Sequence, residues 1–184
     1  MVYKRKIMEK PWPSAVTKIV ITEEQLQRRI RELGFQIAQD YRGKDLFILS
    51  ILNGAVIFTA DLIRHIEEPI MVDFITLSSY KGTTGSVGEV TVVKGLESSI
   101  KGKDLLVIDD VLDTGQTLHH LMQLLSKEEP KSLKVCTLLL KKKRRAVNIE
   151  VDYFGFEIEN IFVVGYGMDY MQRYRNLPYF GVME

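Results

Sequence analysis

Apolar runs alternate with stretches of helical periodicity along most of this chain. Thr22-Glu23-Glu24-Gln25 fits a capping box, in which a threonine hydroxyl and a glutamine amide satisfy free backbone groups at a helix start. Leu26, Ile30, Leu33, Ile37 and Ala38 then recur at the spacing of one helix face, and Gly43 follows as an end signal. From Asp45 to Leu52 the chain is nearly all apolar, the pattern of a strand buried on both faces. Ala55 to Ile66 reads as a helix that Pro69 breaks, and Ile70 to Leu77 resumes as a strand. Lys81 to Gly88 is a polar loop holding Gly82, Gly85 and Gly88, and Glu89 to Val93 is a short alternating strand. Leu105 to Ile108 is a further buried strand that ends at Asp109-Asp110. A helix is expected over Gly115 to Leu125, closed by Pro130, then strands over Leu133 to Leu140, Tyr153 to Ile158 and Phe162 to Tyr166.

Buried strands alternating with helices imply an α/β fold, with a mostly parallel central sheet flanked by helices. Ligands bind such sheets beyond the carboxyl ends of the strands, so the strand-end loops are where chemistry is expected. The N-terminal arm and the last third of the chain, with short strands and frequent aromatics, are expected to form a small subdomain. There is no internal repeat, low-complexity tract or linker, so we read 1–184 as one domain. Its core covers about 21–142, and a hood is built from about 1–20 and 143–184.

Composition narrows the class. The chain has 184 residues, 46% of them hydrophobic, enough to build a core without staples. Cys136 is the single cysteine, which excludes a disulfide scaffold. With 25 basic against 24 acidic residues the net charge is +1, which argues against a nucleic-acid partner. The longest uncharged stretch, Leu46 to Ala60, falls short of the ~18–20 apolar residues of a membrane span, so no membrane partner is expected. Charge near the start has no apolar run behind it, unlike a secretory signal. These features together place the expected site of action in the cytoplasm.

The strongest chemical signal is Val107-Ile108-Asp109-Asp110-Val111-Leu112-Asp113-Thr114-Gly115-Gln116-Thr117. A buried strand delivers two adjacent carboxylates, and a hydroxyl-bearing turn then opens a helix. Free amides at a helix N-terminus make an anion site, and a glycine there lets the anion approach the backbone. Carboxylates accept hydrogen bonds from sugar hydroxyls, directly or through a divalent metal. One loop of this composition grips both ends of a phosphorylated sugar. Simple helix capping accounts for one of these residues, not for three acids and two threonines within nine positions.

This stretch resembles the phosphoribosyl-diphosphate motif of the type I phosphoribosyltransferases. From about Val20 to Val182 the chain resembles the hypoxanthine-guanine members of that family. The resemblance implies the type I phosphoribosyltransferase fold and purine salvage, with 5-phosphoribose passing from its 1-diphosphate to hypoxanthine or guanine. It implies that Asp109 and Asp110 bind ribose and metal, and that Asp113 is the catalytic base. Asp113, Thr114, Gly115, Gln116 and Thr117 would bind the 5′-phosphate. Asn53, Gly54 and Arg175 would contact diphosphate, with Asn53 standing where the family commonly has lysine. Ser79 and Tyr80 would open a flexible loop over the site. Lys141, Phe162, Val163 and Asp169 would wall the purine pocket, Asp169 also holding metal through water. Mg2+ is the implied cofactor. The implied partners are phosphoribosyl diphosphate, a purine base, a purine nucleotide and further copies of the chain in a homodimer or homotetramer.

Two other readings compete. One is a xanthine-preferring transferase: Lys141 argues against adenine and the Phe162 segment argues for a purine, but neither sets xanthine aside. An RNA-binding attenuator of pyrimidine operons shares the fold, and the basic run Lys141 to Arg145 points that way. Such regulators commonly lack the acid found here at Asp113. Cys136 reads as a buried small hydrophobe. His65, His119 and His120 lack the spacing of a zinc site.

Overall fold

The computed structural model describes residues 16–79, 90–96, 98–141, 147 and 149–183. Tyr80, the polar loop at 81–88, the N-terminal arm with Trp12 and the basic residues 142–145 lie outside them. The elements in chain order are β1 (Val16–Ile21), α1 (Glu23–Asp40), β2 (Leu46–Leu52), α2 (Val56–Ile63), β3 (Met71–Ser79) and β4 (Val90–Lys94). There follow β5 (Asp104–Leu112), α3 (Gln116–Ser126), β6 (Ser132–Lys141), β7 (Tyr153–Ile158), β8 (Val163–Val164) and β9 (Phe180–Met183).

A six-stranded sheet runs in the order β4-β3-β2-β5-β6-β7, parallel except for the antiparallel edge strand β4. Alternating side chains of its central strands divide between two cores. Leu46, Ile48, Leu106 and Ile108 pack with Leu26 and Ile30 of α1 and with Phe58 and Leu62 of α2. Phe47, Leu49, Leu105 and Val107 pack with Leu118, Leu121 and Leu125 of α3 on the opposite face. Fully burying each such side chain contributes roughly 1.5–3 kcal/mol relative to exposure. The capping box forms as the sequence implies: the Gln25 amide donates to Thr22 Oγ1 at 3.3 Å, and the Thr22 amide donates to Gln25 Oε1 at 2.8 Å.

A second, three-stranded antiparallel sheet, β1-β9-β8, joins the start of the described chain to its end. Two strand expectations need revision. β5 does not stop at the acids but continues to Leu112, because β6 runs alongside and pairs Val111 with Leu139 and Leu112 with Leu140. The strand expected over Phe162 to Tyr166 shortens to β8. The backbone turns left-handed at Gly165 (φ 106°), Tyr166 (φ 45°) and Gly167 (φ 99°), which no strand accommodates.

Candidate active site

Parallel register brings the carboxyl ends of β2, β5 and β6 to one edge of the large sheet. There, a cavity of about 370 Å³ is lined by Asn53, Gly54, Asp109, Asp110, Asp113, Lys141, Phe162, Val163, Asp169 and Arg175. Ten of the residues singled out in the sequence thus share one space. A larger cavity, about 460 Å³, lies between α3 and Gly95 to Ile100. Among the described residues, its one charged lining residue is Glu128. Volume alone therefore does not mark the site.

Asp109 and Asp110 lie within β5, bonded to the backbone ahead. Asp109 Oδ1 accepts from the Asp110 amide at 3.0 Å, and Asp110 Oδ1 accepts from the Val111 amide at 2.8 Å. Burial pushes the Asp109 carboxyl well above the usual carboxylate range, and the charge of Asp110 adds to the effect. Burial raises Asp110 too, opposed by hydrogen bonds from Asp109 and the Val111 amide and by the charge of Arg175. Gly54 is fitted against this pair: a Cβ there would lie 1.7 Å from Asp110 Oδ2. The Leu52–Asn53 peptide is cis.

The two main helix starts contrast. α1 closes its own N-terminus with the capping box and with Glu23 and Glu24 in its first turn. α3 has no side-chain cap and no first-turn acid. Its N-cap is Gly115 at φ 80°, a left-handed conformation that a residue with a Cβ adopts at a cost. The first intrahelical bond runs from the His119 amide to the Gly115 carbonyl, so the amides of Gln116, Thr117 and Leu118 precede the helical ladder. This leaves α3 with the amides and dipole of an anion site. Gln116 and Thr117 form its first turn beside Thr114, next to the cavity rather than in its wall.

On the far wall, Lys141 Nζ lies 3.2 Å from Asp113 Oδ2. Lys141 is 9% exposed, and its stem follows the buried end of β6. The sequence assigns these two residues to different parts of a substrate but gives no sign that they pair with each other.

The turn after β8 supplies the remaining charges. Arg175 donates to the Gly167 carbonyl at 2.7 Å and to Gln172 Oε1 at 3.2 Å, and it pairs with Asp169 Oδ1 at 2.7 Å. Asp169 Oδ2 accepts from the Gln172 amide at 2.8 Å. Phe162 is 54% exposed, and Tyr170 meets its ring edge-on at a centroid distance of 6.0 Å. Val163 is buried beside it. Ser79 ends β3. Ile51, Leu52, Val111 and Met168 also line the cavity, and their apolar character in the sequence does not distinguish them from core residues. Tyr166, between Gly165 and Gly167, is buried and does not line the cavity.

A sheet edge that sets paired acids beside an open helix N-terminus, under a separate small sheet, defines a class of proteins that handle phosphorylated sugars. Within that class the chain belongs to the phosphoribosyl transferase domain family, which it matches over residues 20–171. It is 43% identical over 169 residues to the hypoxanthine-guanine phosphoribosyltransferase of Bacillus subtilis, covering 92% of this chain and 94% of that one. The hypoxanthine-guanine phosphoribosyltransferase of Mycobacterium tuberculosis (strain H37Rv) is 45% identical over 179 residues, covering 94% and 89%. The crystal structure of a hypoxanthine phosphoribosyltransferase from Staphylococcus aureus superposes with a TM-score of 0.91 at 44% identity, covering 96% of each chain. Among the described residues, no helix is long and apolar enough to cross a membrane.

Proposed function

We propose that this chain is a purine-salvage enzyme, transferring 5-phosphoribose from 5-phosphoribosyl 1-diphosphate to hypoxanthine or guanine. The observation that carries the reading is the meeting of Asp109, Asp110, Asp113, Lys141 and Arg175 in one cavity beside the open start of α3. The named relatives support it.

The roles follow from chemistry. Thr114, Gly115, Gln116 and Thr117 bind the 5′-phosphate, and this grip, remote from the bond that breaks, orients the sugar. Asp109 and Asp110 accept hydrogen bonds from the ribose hydroxyls. Lys141 donates to the exocyclic oxygen of a 6-oxopurine, an atom that adenine lacks. Phe162 stacks on the purine, and the Val163 backbone reads the base edge. As the bond from the anomeric carbon to diphosphate breaks, one imidazole-ring nitrogen of the purine bonds to that carbon. Asp113 takes the proton released from the other ring nitrogen. The amides at Asn53 and Gly54, with Arg175, bind the departing diphosphate. Asn53 brings no side-chain charge to that task. Ser79 and Tyr80 begin the loop that excludes water while the sugar carries positive charge.

The donor set fits Mg2+. Among the described residues no three acids, histidines or cysteines cluster as a protein-only cage. Magnesium generally binds through one or two carboxylates together with substrate oxygens, so it needs no such cage. Asp109 and Asp110 would hold one such ion and Asp169 a second, and the metal would neutralise charge on the diphosphate. The same reading takes the chain as one domain with a core and hood, acting in the cytoplasm as a homodimer or homotetramer.

The test is product formation from phosphoribosyl diphosphate with each base in turn, with and without magnesium. Turnover is expected with hypoxanthine and guanine, with none for adenine and none after magnesium is removed. Turnover with xanthine alone would replace the proposed bases. Inactivity with every 6-oxopurine would sink the reading.

A further inference from the structure

The turn that carries Asp169 and Arg175 is tied to the core through a residue that touches no part of the cavity. Tyr166 is buried, at 3% exposure, and its φ of 45° is one that tyrosine rarely adopts. Its ring packs edge-on against Phe180 of β9, at a centroid distance of 6.0 Å. Its hydroxyl donates to Asp61 Oδ2 of α2. The same carboxylate oxygen accepts from Gln27 Nε2 of α1 at 3.2 Å. One carboxylate thus joins both helices on this face of the sheet to the left-handed turn. Burial and the Asp61 carboxylate hold the phenol above its ordinary range, so the hydroxyl stays a donor.

The neighbours of Tyr166 transmit this anchor to the site. The Tyr166 amide donates to the Leu177 carbonyl at 2.8 Å, and the Gly167 amide donates to the Arg175 carbonyl at 2.9 Å. Gly167 then lies flat on the diphosphate loop: a Cβ at Gly167 would fall 2.1 Å from the Gly54 carbonyl oxygen. The Gly167 carbonyl in turn holds the Arg175 guanidinium. A displacement at Tyr166 therefore reaches Gly54 and Arg175 directly, and reaches Lys141 and Phe162 only through further chain.

We propose that Tyr166 and Asp61 form a clasp that positions the turn at 165–169 on the core and so sets affinity for the diphosphate-bearing substrate. The proposal rests on the phosphoribosyl-transfer reading above. Both are positioning residues, acting through Gly167 and Arg175.

Two measurements test it in the full chain. The first needs no turnover: hydrogen exchange of the amides at 165–168 in wild type and Tyr166→Phe. These amides are expected to exchange faster in the variant while those of β2 and β5 are unchanged. Unaltered exchange at 165–168 overturns the clasp, whether or not the enzyme reading holds. The second is steady-state kinetics. Tyr166→Phe and Asp61→Leu should each raise KM for phosphoribosyl diphosphate roughly three- to tenfold, the factor carried by one hydrogen bond of ordinary net strength. KM for the purine should hold. Asp61→Asn keeps an acceptor oxygen and should recover most of the loss. The double variant Tyr166→Phe/Asp61→Leu should be no worse than either single. Additive losses, or equal rises in both Michaelis constants with a lowered thermal midpoint, would reduce the pair to a structural contact and overturn the proposal. An inactive wild type with altered exchange would leave the clasp standing and remove the enzyme reading instead.

Discussion

At the scale of single residues, the pairing of Asp113 with Lys141 carries the most information. Lys141 sits at the buried end of β6, where an unpaired ammonium would be expensive, and Asp113 answers its charge at 3.2 Å. On the proposed reading, a 6-oxopurine would give Lys141 a second acceptor and Asp113 a proton to take. The pair exists without a base in the cavity and would face one as a donor beside an acceptor. Asp113→Asn should separate charge from shape, because the amide oxygen can still accept from Lys141. Turnover is expected to fall on the order of tenfold or more, as when a general base is removed. The thermal midpoint should move by no more than a few degrees. A steady-state assay beside a melting curve decides it, and near-normal turnover would take Asp113 out of the base role. The acid was visible in the sequence, since it lies in the same nine-residue stretch as the paired acids. Its partner was not, because nothing local links positions 28 apart.

Elements show the same division between local and distant causes. α1 is legible down to its cap, since its start, apolar stripe and end are all written within a few turns. β2 and β7 are similarly legible from pattern alone, within a residue at each end. β5 is misread at its end because two acids resemble a strand stop, whereas its continuation depends on a neighbouring strand that begins some twenty residues later. The sheet β1-β9-β8 is legible as a small subdomain joining the two ends of the chain, but its strand pairing is not, for a like reason. Its first and last strands are joined by contacts such as Thr17 Oγ1 to the Val182 carbonyl, 165 positions apart. α3 is the element whose start the proposed reading assigns to the phosphate, and its glycine N-cap can be tested. Gly115→Ala places a Cβ at φ 80°, 3.1 Å from Ile149 Cδ1, so the new methyl meets strain more than a wall. The conformation costs about 1–2 kcal/mol. That corresponds to a fall of roughly 2–8 °C in thermal midpoint for a domain of this size. KM for phosphoribosyl diphosphate should rise with it while KM for the purine stays put. A rise in the purine constant alone would separate this turn from phosphate binding.

For the molecule as a whole, the two acids of β5 set function against stability. Two well-packed cores sandwich the sheet, yet its central strand carries Asp109 and Asp110 side by side at the rim of a cavity. Asp109 is raised well above the ordinary carboxylate range in the folded protein, first by burial and then by the charge of Asp110. The unfolded chain therefore gives up this proton at lower pH than the native one. Stability linked to Asp109 is fully present below the unfolded carboxylate value. It is lost as pH rises through the raised native value. Neutral pH lies above the unfolded carboxylate value, so there the fold bears a penalty at this site unless substrate and cation relieve it. Asp109→Asn carries no titrating proton and fits nearly the same space. Without substrate or divalent cation, its thermal midpoint at neutral pH should exceed that of wild type by roughly 2–4 °C, the shift produced by about 1 kcal/mol in a domain of this size. That advantage should shrink as pH falls toward the ordinary carboxylate range, and the variant should lose transferase activity at every pH. Melting curves across that span measure the difference directly. An offset independent of pH would show that packing, and not the buried charge, separates the two proteins.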